Sequence, residues 1–353
     1  MNYKKFGKFI IAIASILFIT LVLLLFYFER DQPQTKITNL FDAIWFSIVT
    51  ITTVGYGDVY PVTVAGRIIG VLIVLTSFLT MGYMVGNLSN KIRKFMEEKK
   101  LGFYGTDFEN HVVIIGWDKF GQQVTDQIIN ANHKVAIITN NKDDIDLIYD
   151  LYNHHKVFAL FSDYNNLDSM KKLNIEKSAS VFVNFPDDTE TLVYLINVKQ
   201  KFADLRLVVS LNNSNLKETF ASAGVTYAIS KNEIASKLVA SYIFEPDVAS
   251  FTEDIMSTAI DKTDFDIQEY MVLEKNPFFG KKYNDAFVDL KLSYNCILIG
   301  ISKFVKDNEY KLVKNPSEDI LVEDKDFLLI ISNGVAKKEV EKAFGVKEGR
   351  LNW

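Results

Sequence analysis

A single cysteine, Cys296, in 353 residues excludes an intrachain disulfide framework, and no zinc-ligand spacing surrounds it. It lies in the apolar run Cys296-Ile297-Leu298-Ile299 and reads as a small core residue. Histidine is also scarce. His111, His133, His154 and His155 show no ligand spacing, and the adjacent pair reads as a solvated loop. No nucleophile elbow and no Cys/His pairing occur, so an enzyme reading has no residues to stand on. Nor is there an excess of positive charge. The net charge is −5, and nucleic acid is not an expected partner. With 48% apolar and 24% charged residues the chain is neither disordered nor wholly embedded in a membrane. Its length suits about two to three domains.

What is present is unevenly spread. Phe9–Phe28 is an apolar run broken only by Ser15 and Thr20, long enough to cross a bilayer as a helix. Lys4, Lys5 and Lys8 precede it, and Glu29, Arg30 and Asp31 follow, which places the N-terminus on the cytoplasmic side. The run exceeds a signal-peptide core and no small-residue cleavage site follows it, so a retained helix is expected. A second span is expected at about 64–90, with Lys91, Arg93, Lys94, Lys99 and Lys100 beyond its inner end. The chain then reads as a multi-pass protein of the cell inner membrane with both termini cytoplasmic. The basic cluster can also touch anionic lipid headgroups.

Between the spans, residues 40–51 are apolar but too short to cross, with Asn39 placed to cap their start. A re-entrant helix is tolerated at membrane depth only where protein or a water-filled cavity surrounds it. It leads into Thr52-Thr53-Val54-Gly55-Tyr56-Gly57-Asp58. Gly55 and Gly57 alternate with Val54 and Tyr56, and glycine takes positive φ at little steric cost. Such a strand, with a threonine hydroxyl below, offers a ladder of oxygens and no fixed charge. Four copies around an axis would replace the hydration shell of a monovalent cation.

Beyond a charged linker, His111-Val112-Val113-Ile114-Ile115-Gly116 reads as a buried strand, followed by an amphipathic helix and a second strand at 134–139. Further strands are expected at 157–161, 180–184, 206–211 and 227–229. Helices are expected at 166–173, 189–201, 215–223 and 234–242. This alternation implies a doubly wound, Rossmann-like sheet. Gly116 and Gly121 match the outer glycines of a dinucleotide fingerprint, but Asp118 replaces the middle one and would repel phosphate. Thr139 and Asn140 stand where a ribose-binding acid is expected.

The filter string is the one found in potassium channels, and a pore followed by a Rossmann domain resembles the two-helix prokaryotic potassium channels with an RCK (regulator of potassium conductance) domain. The resemblance implies a membrane α-helical pore domain at 1–95 and a linker at 96–108. An α/β Rossmann-like RCK domain at 109–250 would follow, then a crossover and small α+β subdomain at 251–345. Short strands are expected in that subdomain at 270–273, 296–302, 320–322 and 327–331. Phe244–Met256 would be the dimerising crossover, broken at Pro246.

K+ would be the permeant ion, passing the carbonyls of Thr53, Val54, Gly55, Tyr56 and Gly57. Trp45, Phe46, Thr52 and Asp58 would support them. Val49 stands where some members carry a glutamate partner for Asp58, and Trp45 is the substitute donor. Ser77 falls at the position of the inner-helix hinge glycine, with Gly82 and Gly86 as further bending points. The calcium site of gated relatives aligns with Asn184, Ser210 and Asn212, none of them charged, so that site is expected to be lost. A divalent cation or an adenine nucleotide remains as regulatory ligand. The acidic groups Asp187, Asp188 and Glu190, Glu245, Asp247, Glu253 and Asp254, and Asp261, Asp264, Asp266 and Glu269 read first as solvated faces. A homotetramer is implied, with four extra free RCK domains begun at Met96 completing an octameric ring. A potassium-transporter subunit or membrane-tethered nucleotide sensor would instead show repeated pore motifs or a complete glycine fingerprint.

Overall fold

The computed structural model describes residues 3–258, 262–306 and 309–350, with side chains from Ile13 onward. The chain divides into two compact units, 1–97 and 98–353. Asp261, one of the acidic residues singled out above, lies outside the described residues.

The first unit has three helices. These are α1 (Tyr3–Glu29), the short α2 (Leu40–Ile51) and α3 (Val64–Lys100). Helix α3 runs unbroken for 37 residues and is long and apolar enough to cross a bilayer. Asn39 caps α2 in a capping box: its side chain accepts from the Asp42 N–H, and Asp42 accepts from the Asn39 N–H in return. The core of this unit gathers Leu21, Val22 and Leu25 from α1, Ala43 from α2 and Ile69 and Ile73 from α3, closed by Ile37. On α3 the buried positions Gly66, Ile69, Gly70, Ile73 and Ser77 form one helical stripe. The apolar residues off that stripe, such as Leu72, Phe78, Leu79 and Val85, are exposed on the protomer. Such a surface needs lipid or further copies of the chain around it.

The second unit opens with a six-stranded parallel sheet. Its strands are β1 (Val112–Ile115), β2 (Val135–Thr139), β3 (Val157–Phe161), β4 (Ser180–Val183), β5 (Leu207–Leu211) and β6 (Tyr227–Ser230). Their order is β3-β2-β1-β4-β5-β6, so the winding reverses between β1 and β4. Helices α4 (Lys119–Asn130), α5 (Lys142–Leu151), α6 (Asp188–Lys201) and α7 (Lys217–Ser222) connect the strands. Buried residues alternate between the two faces. Val113, Ile115, Ala136, Ile138, Val181 and Val183 join one core, and Val112, Ile114, Val135, Ile137 and Phe182 the other. The expected helix at 166–173 is a 3-10 stretch, Leu167–Leu173. Helix α8 (Lys231–Phe244) stops at Glu245, and α9 (Pro246–Met256) starts with proline, which needs no N–H partner at a helix's first position.

The remainder forms an antiparallel sheet ordered β7-β10-β8-β9, from β7 (Phe265–Met271), β8 (Ile297–Lys306), β9 (Glu309–Lys314) and β10 (Phe327–Asn333). Helices α10 (Tyr283–Tyr294) and α11 (Gly334–Phe344) accompany it. The strand expected at 320–322 is not formed. A lone bridge from Lys282 to Leu321 stands there. Cys296 is buried in this subdomain's core, and burial pushes its thiol up to about 11. Arg350 donates twice to the Glu269 carboxylate at 3.0 Å and lies 4.4 Å over both the Tyr310 and Phe327 rings. Among the described residues, seven non-glycine residues have positive φ, and five of them are asparagine (Asn110, Asn132, Asn174, Asn295 and Asn315).

Candidate functional site

The string Thr52–Asp58 begins where α2 ends. Thr52 N–H donates to Ile48 O, and the N–H groups of Val54 and Gly55 both donate to Val49 O, at 3.1 and 3.3 Å. Carbonyls at the C-terminal end of α2 thereby anchor the first turn of the string. Thr53, Gly55 and Gly57 then take φ of +59°, +61° and +75°. Val54 and Tyr56 between them are not in the left-handed region. Alternation of this kind lets successive carbonyls face one side. For a β-branched residue such as Thr53 a positive φ is an outlier, of the kind that costs about 1–3 kcal/mol and is found at functional sites.

One side chain of α2, Trp45, braces the string. Trp45 Nε1 donates to Asp58 Oδ2 at 2.9 Å, and its ring stacks on Tyr56, with 6.1 Å between centroids and 4° between planes. Asp58 also accepts from the Val59 N–H through its other oxygen. Phe46 faces a different way. It packs where a Cβ on Gly70 would lie, 3.6 Å off, and belongs to the unit's core. Val49 is buried and contributes its carbonyl, not its side chain, to the string.

In α3, Ser77 donates to Val74 O at 2.6 Å, and Thr80 donates to both Thr76 O and Ser77 O. Hydroxyls bonded to their own helix in this manner loosen it locally. Gly82 and Gly86 have open space around them on the protomer.

The most connected side chain of the first unit is Glu29, which sequence reasoning passed over. It is fully buried and accepts from Val62 N, Thr63 N, Thr63 Oγ1 and Thr35 Oγ1 at 2.6–3.2 Å. It thereby ties the end of α1 to the start of α3. A Cβ on Gly66 would stand 2.0 Å from Glu29 Oε1, so that glycine makes room for the carboxylate.

In the second unit the sequence-predicted residues converge at the carboxyl ends of β1, β4 and β5, where the winding reverses. Gly116 has φ +85°, and a Cβ there would lie 2.3 Å from Asn184 O. Asp118 caps α4. Its Oδ1 accepts from Gly121 N and from Asn184 Nδ2, each at 2.8 Å. The Asn184 Oδ1 accepts in turn from Ser210 Oγ at 2.7 Å and Lys231 Nζ at 3.3 Å. Asn212 is exposed, and its amide is held on Pro186 O. At the end of β2, Thr139 donates to Asp144 Oδ2 at 2.6 Å, while Asn141 Nδ2 holds Asp144 Oδ1 at 2.9 Å. Asn140 is exposed beside them. Burial raises the nearby Tyr164 phenol above its usual range, and the Asp144 and Asp118 carboxylates add to that.

Asp144, Lys231 and Tyr164 were not singled out in the sequence, because each reaches the site from a different element. Two of the acidic groups have local duties. Asp187 caps α6, and Asp188 accepts from the backbone N–H groups of Asn212 and Asn213. No group of three potential metal-ligating side chains occurs among the described residues.

Comparison with known proteins follows the same division. The ion-channel family Ion_trans_2 matches residues 10–94, and the TrkA-N domain family matches residues 112–231. Over 345 residues the chain is 26% identical to the calcium-gated potassium channel TvoK of Thermoplasma volcanium, covering 92% of each. The human SLO3 gating ring shares the fold with a TM-score of 0.50 at 13% identity, over 67% of this chain and 46% of that one. The GsuK channel bound to NAD aligns over 97% of this chain at 14% identity, with a TM-score of 0.41. The chain spans 60% of that structure's length. The chain therefore joins an ion-channel domain at residues 10–94 to a TrkA-N, or RCK, domain at residues 112–231, the two-part plan of the RCK potassium channels.

Proposed function

We infer that the chain is a potassium channel subunit of the inner membrane. It works as a homotetramer whose four filter strings surround one axis and whose cytoplasmic RCK domains form a gating ring. The observation that carries the reading is the alternation of φ through Thr53, Gly55 and Gly57, braced by Trp45 on Asp58 and Tyr56. Potassium passes down its gradient and exchanges water for carbonyl oxygens. The ring opens α3 in response to a cytoplasmic ligand, which acts only through its different affinity for open and closed rings. Lys91, Arg93 and Lys94 meet the headgroups of the inner leaflet.

TvoK is calcium-gated by name. At the aligned positions of this chain Asn184 and Ser210 are bonded to each other, and Asn212 is spent on Pro186 O. Calcium takes six to eight oxygens, commonly with several carboxylates, so these three residues are not its site here. In planar bilayers the purified channel should give reversal potentials ranking potassium over rubidium over sodium. No preference among them would sink the reading. Calcium added on the cytoplasmic side provides a second arm: activation lost in Asn184→Ala would contradict the assignment above.

The gating ring takes eight RCK domains, four of them free copies begun at Met96. Met96 stands just ahead of the boundary between Glu97 and Glu98, so a chain begun there contains the whole second unit. The exposed Ile243, Phe244, Phe251 and Met256 of the crossover supply an apolar surface for pairing. A denaturing gel of the wild type should show a lower band of domain size that disappears in Met96→Leu. If the band survives, free copies do not arise at Met96.

A further inference from the structure

A Rossmann crevice ordinarily takes a nucleotide. The pyrophosphate sits on the N–H groups at the start of the first helix, and an acid at the end of the second strand holds the ribose. The residues here do not fit that group, at two separate places. The first is the start of α4. The Gly121 N–H, the donor freed at a helix N-terminus, is taken by Asp118 Oδ1 at 2.8 Å. The same oxygen accepts from Asn184 Nδ2, and Asn184 is fixed from its other end by Ser210 and Lys231. The carboxylate thus stands in a five-residue network with its own negative charge already where a phosphate would bring one. The cation on hand, Lys231, is aimed at Asn184 and lies 4.9 Å over the Phe120 ring.

The second place is the end of β2. Thr139 is buried there and offers no carboxylate. The acid nearby, Asp144, has one oxygen on Thr139 Oγ1 and the other on Asn141 Nδ2. Both features act in the same direction, and each lies on a different loop.

We propose that Asp118 is an internal occupant of the phosphate position, which makes this crevice select against nucleoside polyphosphates. The glycine found at that position in dinucleotide-binding chains leaves room for phosphate. Here the protein's own anion takes the Gly121 N–H at the helix end, and an incoming diphosphate meets like charge and a donor already in use. The proposal does not depend on which ion the pore conducts.

Ligand binding to the full-length detergent-solubilised protein tests it, with ADP and adenosine as probes in the absence of magnesium, read by concentration-dependent thermal shift. In the wild type ADP should bind no more tightly than adenosine, since the phosphates add nothing favourable. An ADP affinity tenfold or more above that of adenosine overturns the proposal. Asp118→Asn keeps a capping side chain and removes the charge, and Asp118→Gly removes the side chain. Each should raise ADP affinity at least tenfold while leaving adenosine within about twofold of wild type. Folded variants with unchanged ADP affinity would show that Asp118 is not what excludes phosphate. Where a variant does not fold, the wild-type ratio of ADP to adenosine still decides.

Discussion

Gly55→Ala should abolish potassium selectivity. Gly55 has φ +61°, where an L-residue meets its own carbonyl and pays about 1–2 kcal/mol. In the proposed tetramer the substitution occurs four times around one axis, a total of about 4–8 kcal/mol on the same assumption. No neighbour lies within 4 Å of the added Cβ on the protomer, so the penalty there is conformational and cannot be relieved by moving a side chain. The string would escape by flipping its backbone, and the carbonyl ladder would be lost with it. The expected result is a fall of at least tenfold in the potassium-to-sodium permeability ratio, or no current at all, in channels that still assemble. A Gly55→Ala channel with the wild-type reversal potential would mean that left-handed backbone at this position is not what selects the ion.

The second large effect is expected at Glu29. Glu29→Ala would strip four donors of their acceptor, two of them backbone N–H groups at the start of α3. Buried donors left unpaired cost about 1–3 kcal/mol each, and the Thr hydroxyls can turn to other acceptors, so a loss of about 2–5 kcal/mol is expected. Gly66→Ala should act on the same joint from the other side, since its Cβ would lie 2.0 Å from Glu29 Oε1 and 2.9 Å from Thr63 Oγ1. Both variants should lower the melting temperature in detergent and the yield of assembled channel, and their effects should not add, because they break one contact. Glu29→Gln retains one acceptor oxygen and should fall between. A melting temperature unchanged in Glu29→Ala would remove the carboxylate from this role.

The two cases differ in how they could be read from the chain. The string Thr52–Asp58 is seven consecutive residues with a backbone demand that glycine answers locally, so the left-handed positions at Gly55 and Gly57 were legible in it. The buried parallel strands were legible too, because each is a short run apolar on both faces, as in Val112–Ile115 and Val135–Thr139. Glu29 was not, since its partners lie 33 and 34 residues away and an acid after an apolar run looks like a membrane boundary. Strand β9 was missed because it is an exposed edge rich in lysine, a composition that discourages edge pairing and hides the strand. Helix α5 was missed because only Ile145 and Ile148 are buried in ten residues with four aspartates. Several turns fall at asparagine, such as Asn174 and Asn295, and a search for glycine passes over them. At the Rossmann crevice Asp118 was read as a misfit to phosphate. Where its carboxylate goes, onto Gly121 and Asn184, required the loops to be brought together.

The joint at Glu29 also has a mechanical meaning. It fastens the end of α1 to the start of α3, so that end serves as a fulcrum and α3 as the arm. A helix of 37 residues measures about 55 Å. Pivoting it by about 5° as a rigid rod displaces its far end by about 5 Å, while the backbone beside the fulcrum moves by a fraction of an ångström. In the proposed channel, a gate worked from the distant end of such an arm would open widely with little movement of the backbone beside the pivot.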